Sequence, residues 1–353
     1  MKEKILIINK EAFGRITDAY KWCEYLRNDY DITFLCIDDP DGKRRFLESV
    51  KIKYVYSPAN RTVRGIFFLL ACLWNIFWFR GKIFVVYFEP CHLFKKILPW
   101  KKMHLDIRTL SVTNNNNENI RYNSLLCKTC DLYDSVSVIS EGVLSQMQLQ
   151  NRNVYILPLG ADVISIKPKN YAVLNLLYVG ALDNRNISIT IDGLNLFLSK
   201  YPKISVRYDI VGSGSYEYDR IKSLITNYNL ESIVYCHGYI PYDQLAVFFD
   251  NSSYGVSFVP LTDYYDKQPV TKTYEYILSG LYTIATSTSG NQKVISNDNG
   301  VLINDTAESF ASALEFIHTH QMNICESKIR NSLLDCTWKN IVINKMMNVL
   351  ANI

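Results

Sequence analysis

The sequence predicts an α/β protein made of two doubly wound parallel-sheet domains in tandem. Three observations carry this reading. Short runs of Val, Ile, Leu and Tyr alternate with helix-length amphipathic stretches, the pattern of parallel strands covered on both faces. The alternation stops at a polar, proline-containing joint near the middle of the chain and then starts again. The chain has 353 residues, 48% of them hydrophobic and 20% charged, which suits two globular domains and excludes a disordered or fibrous protein.

In the first half the strand-like runs are residues 5–8, 32–36, 54–56, 83–88, 103–107, 135–139 and 154–157. Helices are expected between them, for example at 16–27, 63–79 and 142–148. The joint reads Leu157-Pro158-Leu159-Gly160-Ala161-Asp162, followed by the polar hinge Lys167-Pro168-Lys169-Asn170. Beyond it, strands are expected at 174–179, 206–211, 233–236, 254–258 and 282–286. The intervening helices fall at 188–200, 218–228, 242–249, 271–279 and 307–318. Residues 336–353 form one more amphipathic helix, with Trp338 near its start. The asparagine run 114–117 lacks apolar anchors and is expected to be a mobile loop.

The net charge of +4 divides unevenly. Residues 1–160 carry 23 Lys+Arg against 16 Asp+Glu, whereas residues 161–353 carry 15 against 18. Within residues 58–102 stand eight basic residues, Arg61, Arg64, Arg80, Lys82, Lys95, Lys96, Lys101 and Lys102, against Glu89 alone. Aromatic residues, among them Phe67, Trp74, Phe77, Trp78 and Trp100, are threaded through the same stretch. Apolar helix faces flanked by Arg and Lys are the pattern of an interfacial helix, so 61–102 is expected to meet an anionic membrane surface. No nucleic-acid partner is expected, because no base-stacking or groove-reading module accompanies the charge. The opening residues lack the apolar region of about 7–15 residues of a signal peptide. The longest apolar run, 65–79, contains Asn75 and is shorter than the roughly 20 residues that span a bilayer. With nine cysteines and no export signal, a cytoplasmic location is expected, peripheral on the inner membrane face. Cys127 and Cys130 form a C-x-x-C, but no second Cys/His pair at zinc spacing accompanies it, so no metal site is expected. The pair Asp38-Asp39 reads as a turn.

Three segments of the second half combine strand ends with polar chemistry. Tyr178-Val179-Gly180-Ala181-Leu182-Asp183-Asn184-Arg185-Asn186 leaves a strand, turns through glycine and places a cation before a helix. Free N–H groups with a nearby guanidinium suit an anionic diphosphate. Val211-Gly212-Ser213-Gly214-Ser215 is a second strand-to-helix junction. It fails the dinucleotide fingerprint, because Glu217 stands where a third glycine would fall. In the segment from Gln268 to Thr286, proline opens a helix, Gly280 closes it and a strand follows. Lys272 and Glu275 are three apart and share one helix face, so a cation and a carboxylate stand at a positive helix end. A carboxylate can accept both hydroxyls of a ribose, and the cation can hold phosphate oxygens.

From Leu174 to about Thr306 the motifs run Y-V-G-x-L-x-x-x-R, V-G-S-G-S, C-H-G-Y-I, S-F-V-P, P-V-T-K-T-Y-E-Y-I-L-S-G-L-Y-T-I-A-T and N-G-V-L-I. In order and separation this resembles the nucleotide-sugar-binding half of GT-B glycosyltransferases of the family 4 type, glycosyl transferases group 1. The joint at 156–162 resembles that family's interdomain segment, and Gly14-Arg15 a reduced form of its N-terminal glycine loop. The resemblance implies two Rossmann-like domains facing a cleft: residues 1–160 for the acceptor and 161–335 for the donor, with the helix 336–353 crossing back onto the first. It further implies transfer of a sugar from a nucleotide-diphosphate donor to a saccharide or lipid-linked saccharide, in polysaccharide or glycolipid biosynthesis. Such transfer is retaining, metal-independent and free of any cofactor beyond the nucleotide-sugar substrate. By the same resemblance Glu275 would hold the ribose hydroxyls, and Arg185 and Lys272 would meet the diphosphate. Gly212 and Gly214 would let the backbone approach the nucleotide. One departure stands out: Lys267 occupies the position of the family's first glutamate, which usually lies near the donor sugar.

In the acceptor half the expected site residues are Gly14, Arg15, Glu89 and His92 at strand ends, with Asp106 and Arg108 as the catalytic pair. Strand alternation puts His104 and Asp106 on one face, with Arg108 at the exit. Asp106, Glu89 or His92 would orient or deprotonate an acceptor hydroxyl, and Arg15 or Arg108 would stabilise the departing phosphate. His104 reads as a satisfied core histidine. Two other readings stay open. A catalytically silent nucleotide-sugar-binding module would bind donor without turnover, and a nucleotide-sugar epimerase would form product without an acceptor.

Overall fold

The computed structural model describes residues 2–38, 44–111, 116–147, 149–150, 153–266, 270–320 and 323–353. Asp39, the asparagines 114 and 115, and Lys267 therefore lie outside the described residues. The chain divides into two compact units, residues 1–160 with 338–353, and residues 161–337.

Among the described residues the first unit holds seven strands: β1 (Glu3–Ile8), β2 (Tyr30–Ile37), β3 (Val50–Val55), β4 (Lys82–Val86), β5 (His104–Ile107), β6 (Ser135–Val138) and β7 (Val154–Ile156). They pair in parallel in the order β3-β2-β1-β4-β5-β6-β7. Alternation along β1 explains how the sheet is buried on both faces. Leu6 and Ile8 enter one apolar cluster, which includes Phe68, Cys72 and Ile76 of the Arg61–Trp78 helix. Ile5 and Ile7 enter the other, together with Trp22 of the Thr17–Leu26 helix and the C-terminal residues Trp338, Val342 and Met346. The C-terminal helical run is continuous from Trp338 to Ala351 but opens into a π turn over Val342–Met346. A Cβ at Gly160 would lie 2.5 Å from the Trp338 ring, so glycine at the joint admits this indole.

The Arg61–Trp78 helix has two apolar faces. Phe68, Cys72 and Ile76 are buried, and each such apolar side chain contributes roughly 1.5–3 kcal/mol. On the opposite side Val63, Phe67, Leu70, Trp74 and Phe77 recur at helical spacing and are exposed, as are Ile66 and Trp78. By length and composition this 18-residue helix could cross a membrane, and 17% of it is buried. The helix extends beyond the apolar run 65–79 by one turn, Arg61-Thr62-Val63-Arg64, that carries two of the basic residues. Asn75 lies inside this helix, where Lys53 donates to its Oδ1 at 2.6 Å while its Nδ2 donates to the Ala71 carbonyl.

The second unit holds, among the described residues, β8 (Leu174–Val179), β9 (Val206–Val211), β10 (Val234–Gly238), β11 (Tyr254–Ser257), β12 (Tyr282–Thr286) and β13 (Gly300–Ile303). Their order is β10-β9-β8-β11-β12-β13, again all parallel. The sequence reading lacks β13. Its apolar run is only three residues, Val301 to Ile303, with the middle two of the four strand positions half-buried, too short for periodicity to register. The helix expected at 242–249 is instead a 3-10 turn, Tyr242–Gln244, followed by the helix Ala246–Asn251.

Candidate active site

The helix Thr271–Leu278 is fixed to the second sheet by buried polar contacts. Thr273 Oγ1 shares a hydrogen bond with Ser257 Oγ at 2.7 Å and donates to Asn291 Oδ1, whose Nδ2 donates to the Thr286 carbonyl. Val179 N donates to Tyr276 Oη at 2.7 Å, and Gly255 leaves room for the Tyr276 ring. Gly280 takes a φ of +80°, letting Leu281 N reach back to the Tyr276 carbonyl and end the helix. The first turn is thereby held beside the carboxyl end of β8.

There Val179, Gly180, Arg185, Tyr242, Lys272 and Glu275 line a cavity of about 370 Å³, together with Tyr265 and Thr271. The Lys272 ammonium is shielded from solvent, has no hydrogen-bond partner among the described residues and sits 3.8 Å over the Tyr178 ring. Burial, reinforced by the Arg185 guanidinium, pushes its pKa down to about 7, with Glu275 pulling the other way. Burial pushes Glu275 up to about 7. The Tyr242 hydroxyl lowers it, while the Asp162 carboxylate raises it. Tyr242 Oη lies 3.1 Å from both Glu275 Oε1 and Asp162 Oδ2. A buried cation without a partner costs free energy unless an anion arrives. The cavity is thus prepared for one.

Arg185 is aimed by its loop. Asn184 and Asn186 take positive φ values of 60° and 53°, and the Arg185 guanidinium donates to Tyr265 Oη while lying over that ring. Gly180 takes a φ of +146°, which side chains other than glycine's rarely adopt. Gly212 and Gly214 are needed for close packing. A Cβ on Gly212 would collide with the Gly180 carbonyl at 1.8 Å, and one on Gly214 would meet Leu182 and Asp183. Neither lines the cavity, and both let the β9 loop pack under the β8 loop that carries Gly180 and Arg185. Sequence reasoning missed Tyr178, Tyr242, Tyr265 and Asp162 as participants. Tyr178 was the most legible, because it precedes the Val179-Gly180 turn. Tyr242 and Asp162 are far from Glu275 in sequence, and only the fold joins them.

In the first unit, Asp106 and Arg108 are brought together, but inside the structure. Asp106 is fully buried, accepts from Ser137 Oγ and lies 3.8 Å from the Arg108 Nε. Burial pushes its pKa up to about 6, against the pull of Arg108. Arg108 also pairs with Asp18, donates to the Leu157 carbonyl at 2.8 Å and lies over the Trp22 ring. This placement corrects the expectation that the pair faces substrate: the two residues tie β5 to the Thr17–Leu26 helix and to the joint. His104 is a core histidine, as expected, held between Ser135 Oγ and Ser137 Oγ at 2.8 Å each and driven down to about 3 by burial. Gly14, at a φ of +81°, packs against the Arg45 side chain. Arg15 lines a cavity of the first unit with Lys10, Arg61 and Arg64. Glu89 lies at the edge of an adjoining cavity, and His92 Nδ1 is 2.9 Å from the Glu89 carbonyl. Within the basic segment, Lys95 is buried, with Asp134 and the carbonyls of Pro99 and Lys101 as partners, so it contributes no surface charge.

Residues 174–320, which carry every residue lining the cavity around Lys272, match the family model described as Glycosyl transferases group 1. The two parallel-sheet units have the fold of GT-B glycosyltransferases, and the family model matches within the second of them. Among solved structures, a sucrose-phosphate synthase from Thermosynechococcus elongatus is 17% identical, covers 99% of each chain and has a TM-score of 0.75. The HepE protein of Anabaena in complex with UDP is 13% identical over the whole of both chains, also at 0.75. An E. coli trehalose-6-phosphate protein bound with UDP-2-fluoro glucose is 10% identical over 99% of each chain, at 0.70. No curated protein matches the sequence.

Proposed function

We propose that the second unit binds a nucleotide-diphosphate sugar in the 370 Å³ cavity and that the first unit receives a saccharide or lipid-linked saccharide acceptor. The observation that carries this reading is the solvent-shielded Lys272 ammonium, without a hydrogen-bond partner among the described residues, with Arg185 on the same cavity wall. As the bond between the anomeric carbon and the β-phosphate oxygen breaks, its electron pair leaves with the diphosphate. Lys272 and Arg185 stabilise that charge from fixed positions. The acceptor oxygen forms the new bond to the anomeric carbon and its proton leaves to a base. Glu275 accepts the ribose hydroxyls, taking the place that Tyr242 Oη occupies in the free chain. Two cations at the departing phosphates make metal-independent chemistry the natural reading, and retention of configuration follows the family resemblance. Titration against UDP-, GDP- and dTDP-sugars is expected to give one binding series, weakened by Glu275→Ala. If no nucleotide sugar binds, or if the variant binds as well as the natural chain, the reading fails.

The exposed stripe of the Arg61–Trp78 helix supports docking on an anionic membrane surface, as part of polysaccharide or glycolipid assembly. Exposed apolar patches of this extent mark interaction sites. Trp74, Trp78 and Trp100 are each more than 60% exposed, and Arg80, Lys96 and Lys102 are exposed near them in sequence. The chain is expected to co-sediment with phosphatidylglycerol vesicles and not with phosphatidylcholine vesicles. Trp74→Ser combined with Trp78→Ser should weaken that binding about tenfold or more. Equal sedimentation of variant and natural chain would overturn the docking.

A further inference from the structure

The first unit carries a second cavity whose chemistry the donor reading does not use. About 410 Å³ in volume, it is lined by four cations, Lys10, Arg15, Arg61 and Arg64, and by the carboxylates of Glu11 and Asp38. It opens at the carboxyl ends of β1, β2 and β3. In the order β3-β2-β1-β4, the chain's winding reverses beside β1, where open α/β sheets bind their ligands. An adjoining cavity of about 210 Å³ shares Lys10, Arg61 and Arg64 and is walled by Phe68, Phe88 and Pro90, with Glu89 at its edge.

The charges here are unbalanced. The Asp38 carboxylate is engaged by Arg44, whose Nε and Nη2 donate to its two oxygens at 2.8 and 2.6 Å. Lys10, Arg61 and Arg64 have no ion pair or side-chain hydrogen bond among the described residues, although Glu11 and Glu89 stand on the same walls. The start of the Arg61–Trp78 helix is not the attracting element, because Asn60 Oδ1 already accepts from Thr62 N and Val63 N. Three long cations converging without carboxylate partners repel one another, and an anion with several oxygens relieves that repulsion through charge-assisted hydrogen bonds.

We infer that the first unit recognises its acceptor through a phosphate group, held by Lys10, Arg61 and Arg64. The rest of the acceptor lies against Phe68, Phe88 and Pro90. This inference rests on the reading of the first unit as the acceptor unit. The shared chemistry is a phosphate ester. It belongs either to a free sugar phosphate or to a lipid-linked phosphate whose chain runs along the exposed stripe of the same helix.

The test uses the full chain, with and without the nucleoside diphosphate that the donor panel identifies. One arm titrates a hexose 6-phosphate calorimetrically. The other uses flotation with phosphatidylcholine vesicles carrying a polyprenyl phosphate, against vesicles carrying the same mole fraction of phosphatidylglycerol. Binding of the hexose phosphate identifies the free ester. Preference for polyprenyl phosphate vesicles identifies the lipid-linked one. In either case Arg61→Gln with Arg64→Gln should weaken the phosphate interaction about 100-fold while nucleotide affinity is unchanged. Lys272→Met should do the reverse. Neither arginine has an ion pair or side-chain hydrogen bond among the described residues, so the double variant should keep its melting temperature. No binding of the hexose phosphate together with no preference for the polyprenyl phosphate vesicles, or an unaffected double variant, would overturn the phosphate site. Loss of nucleotide binding in the natural chain would instead strike the donor reading.

Discussion

Replacing Lys272 with Met is expected to lower turnover about 10²–10³-fold and to weaken nucleotide-sugar binding about 10–100-fold. In the proposed reading the charge removed faces the departing diphosphate, where Arg185 alone would remain. The same substitution should change the pH dependence in a defined way. In the free chain Lys272 titrates near 7, and a bound diphosphate favours its cation. Above pH 7 binding therefore draws a proton from solution, and affinity falls by up to about tenfold per pH unit. Glu275 also titrates near 7 and must be ionised to accept ribose hydroxyls, so below pH 7 binding releases a proton and affinity again falls. The logarithm of the association constant should trace a bell centred near pH 7. Lys272→Met removes its alkaline limb and Glu275→Gln its acid limb. Stability of the free chain follows the same groups. Between about 7 and Lys272's ordinary value the unfolded chain holds the extra proton, so this lysine makes stability rise with pH, and the Met variant loses that rise. Glu275 acts in the opposite sense, reducing stability as pH rises towards about 7 from the ordinary carboxylate range. A flat affinity profile in the natural chain would refute the assignment of both residues.

Arg108→Ala should be the most destabilising single substitution in the first unit, costing about 3–5 kcal/mol. It leaves Asp18 and the fully buried Asp106 without their cation. For a domain of this size that corresponds to a fall of roughly 6–20 °C in the midpoint of its transition. The loss should depend on pH. Asp106 already titrates near 6 because of burial, and removing Arg108 raises it further. The folded variant then holds a proton that the unfolded chain releases, so its stability falls as pH rises from about 4 through the raised value. Asp106→Asn should restore part of the stability in the Arg108→Ala background. Urea unfolding at pH 5 and pH 8 measures both effects. A loss below about 1 kcal/mol, equal at the two pH values, would show that the network contributes little.

Much of this was legible from local pattern. β8, β9 and β12 coincide with the runs read from sequence because apolar residues dominate each and most of their positions are buried. Lys272, Glu275 and Arg185 stood out through the order of the motifs around them, which resembles a nucleotide-sugar-binding domain, and the structure brings the three to one cavity. What local pattern could not supply was depth. Alternation put Asp106 on a face with His104, and the structure agrees, but β5 is covered on both sides, so the face carrying them is interior. Lys95 was counted as surface charge for the same reason, since nothing local announces that Asp134 lies across from it. The glycines of the 212–214 turn were read for what they would let in. Their work lies in what they let the neighbouring loop do.

The contact between Asn75 and Lys53 bears on more than the helix that contains it. A body resting on a lipid surface through a single helix retains one unconstrained angle, its roll about that helix. An amide in the middle of an apolar stretch, tethered to the adjacent β3, removes that freedom by fixing which side chains point outward. On a bilayer the opening between Lys10, Arg61 and Arg64 would then keep a constant height and tilt above the headgroups. A substrate emerging from the membrane would always meet it from the same direction.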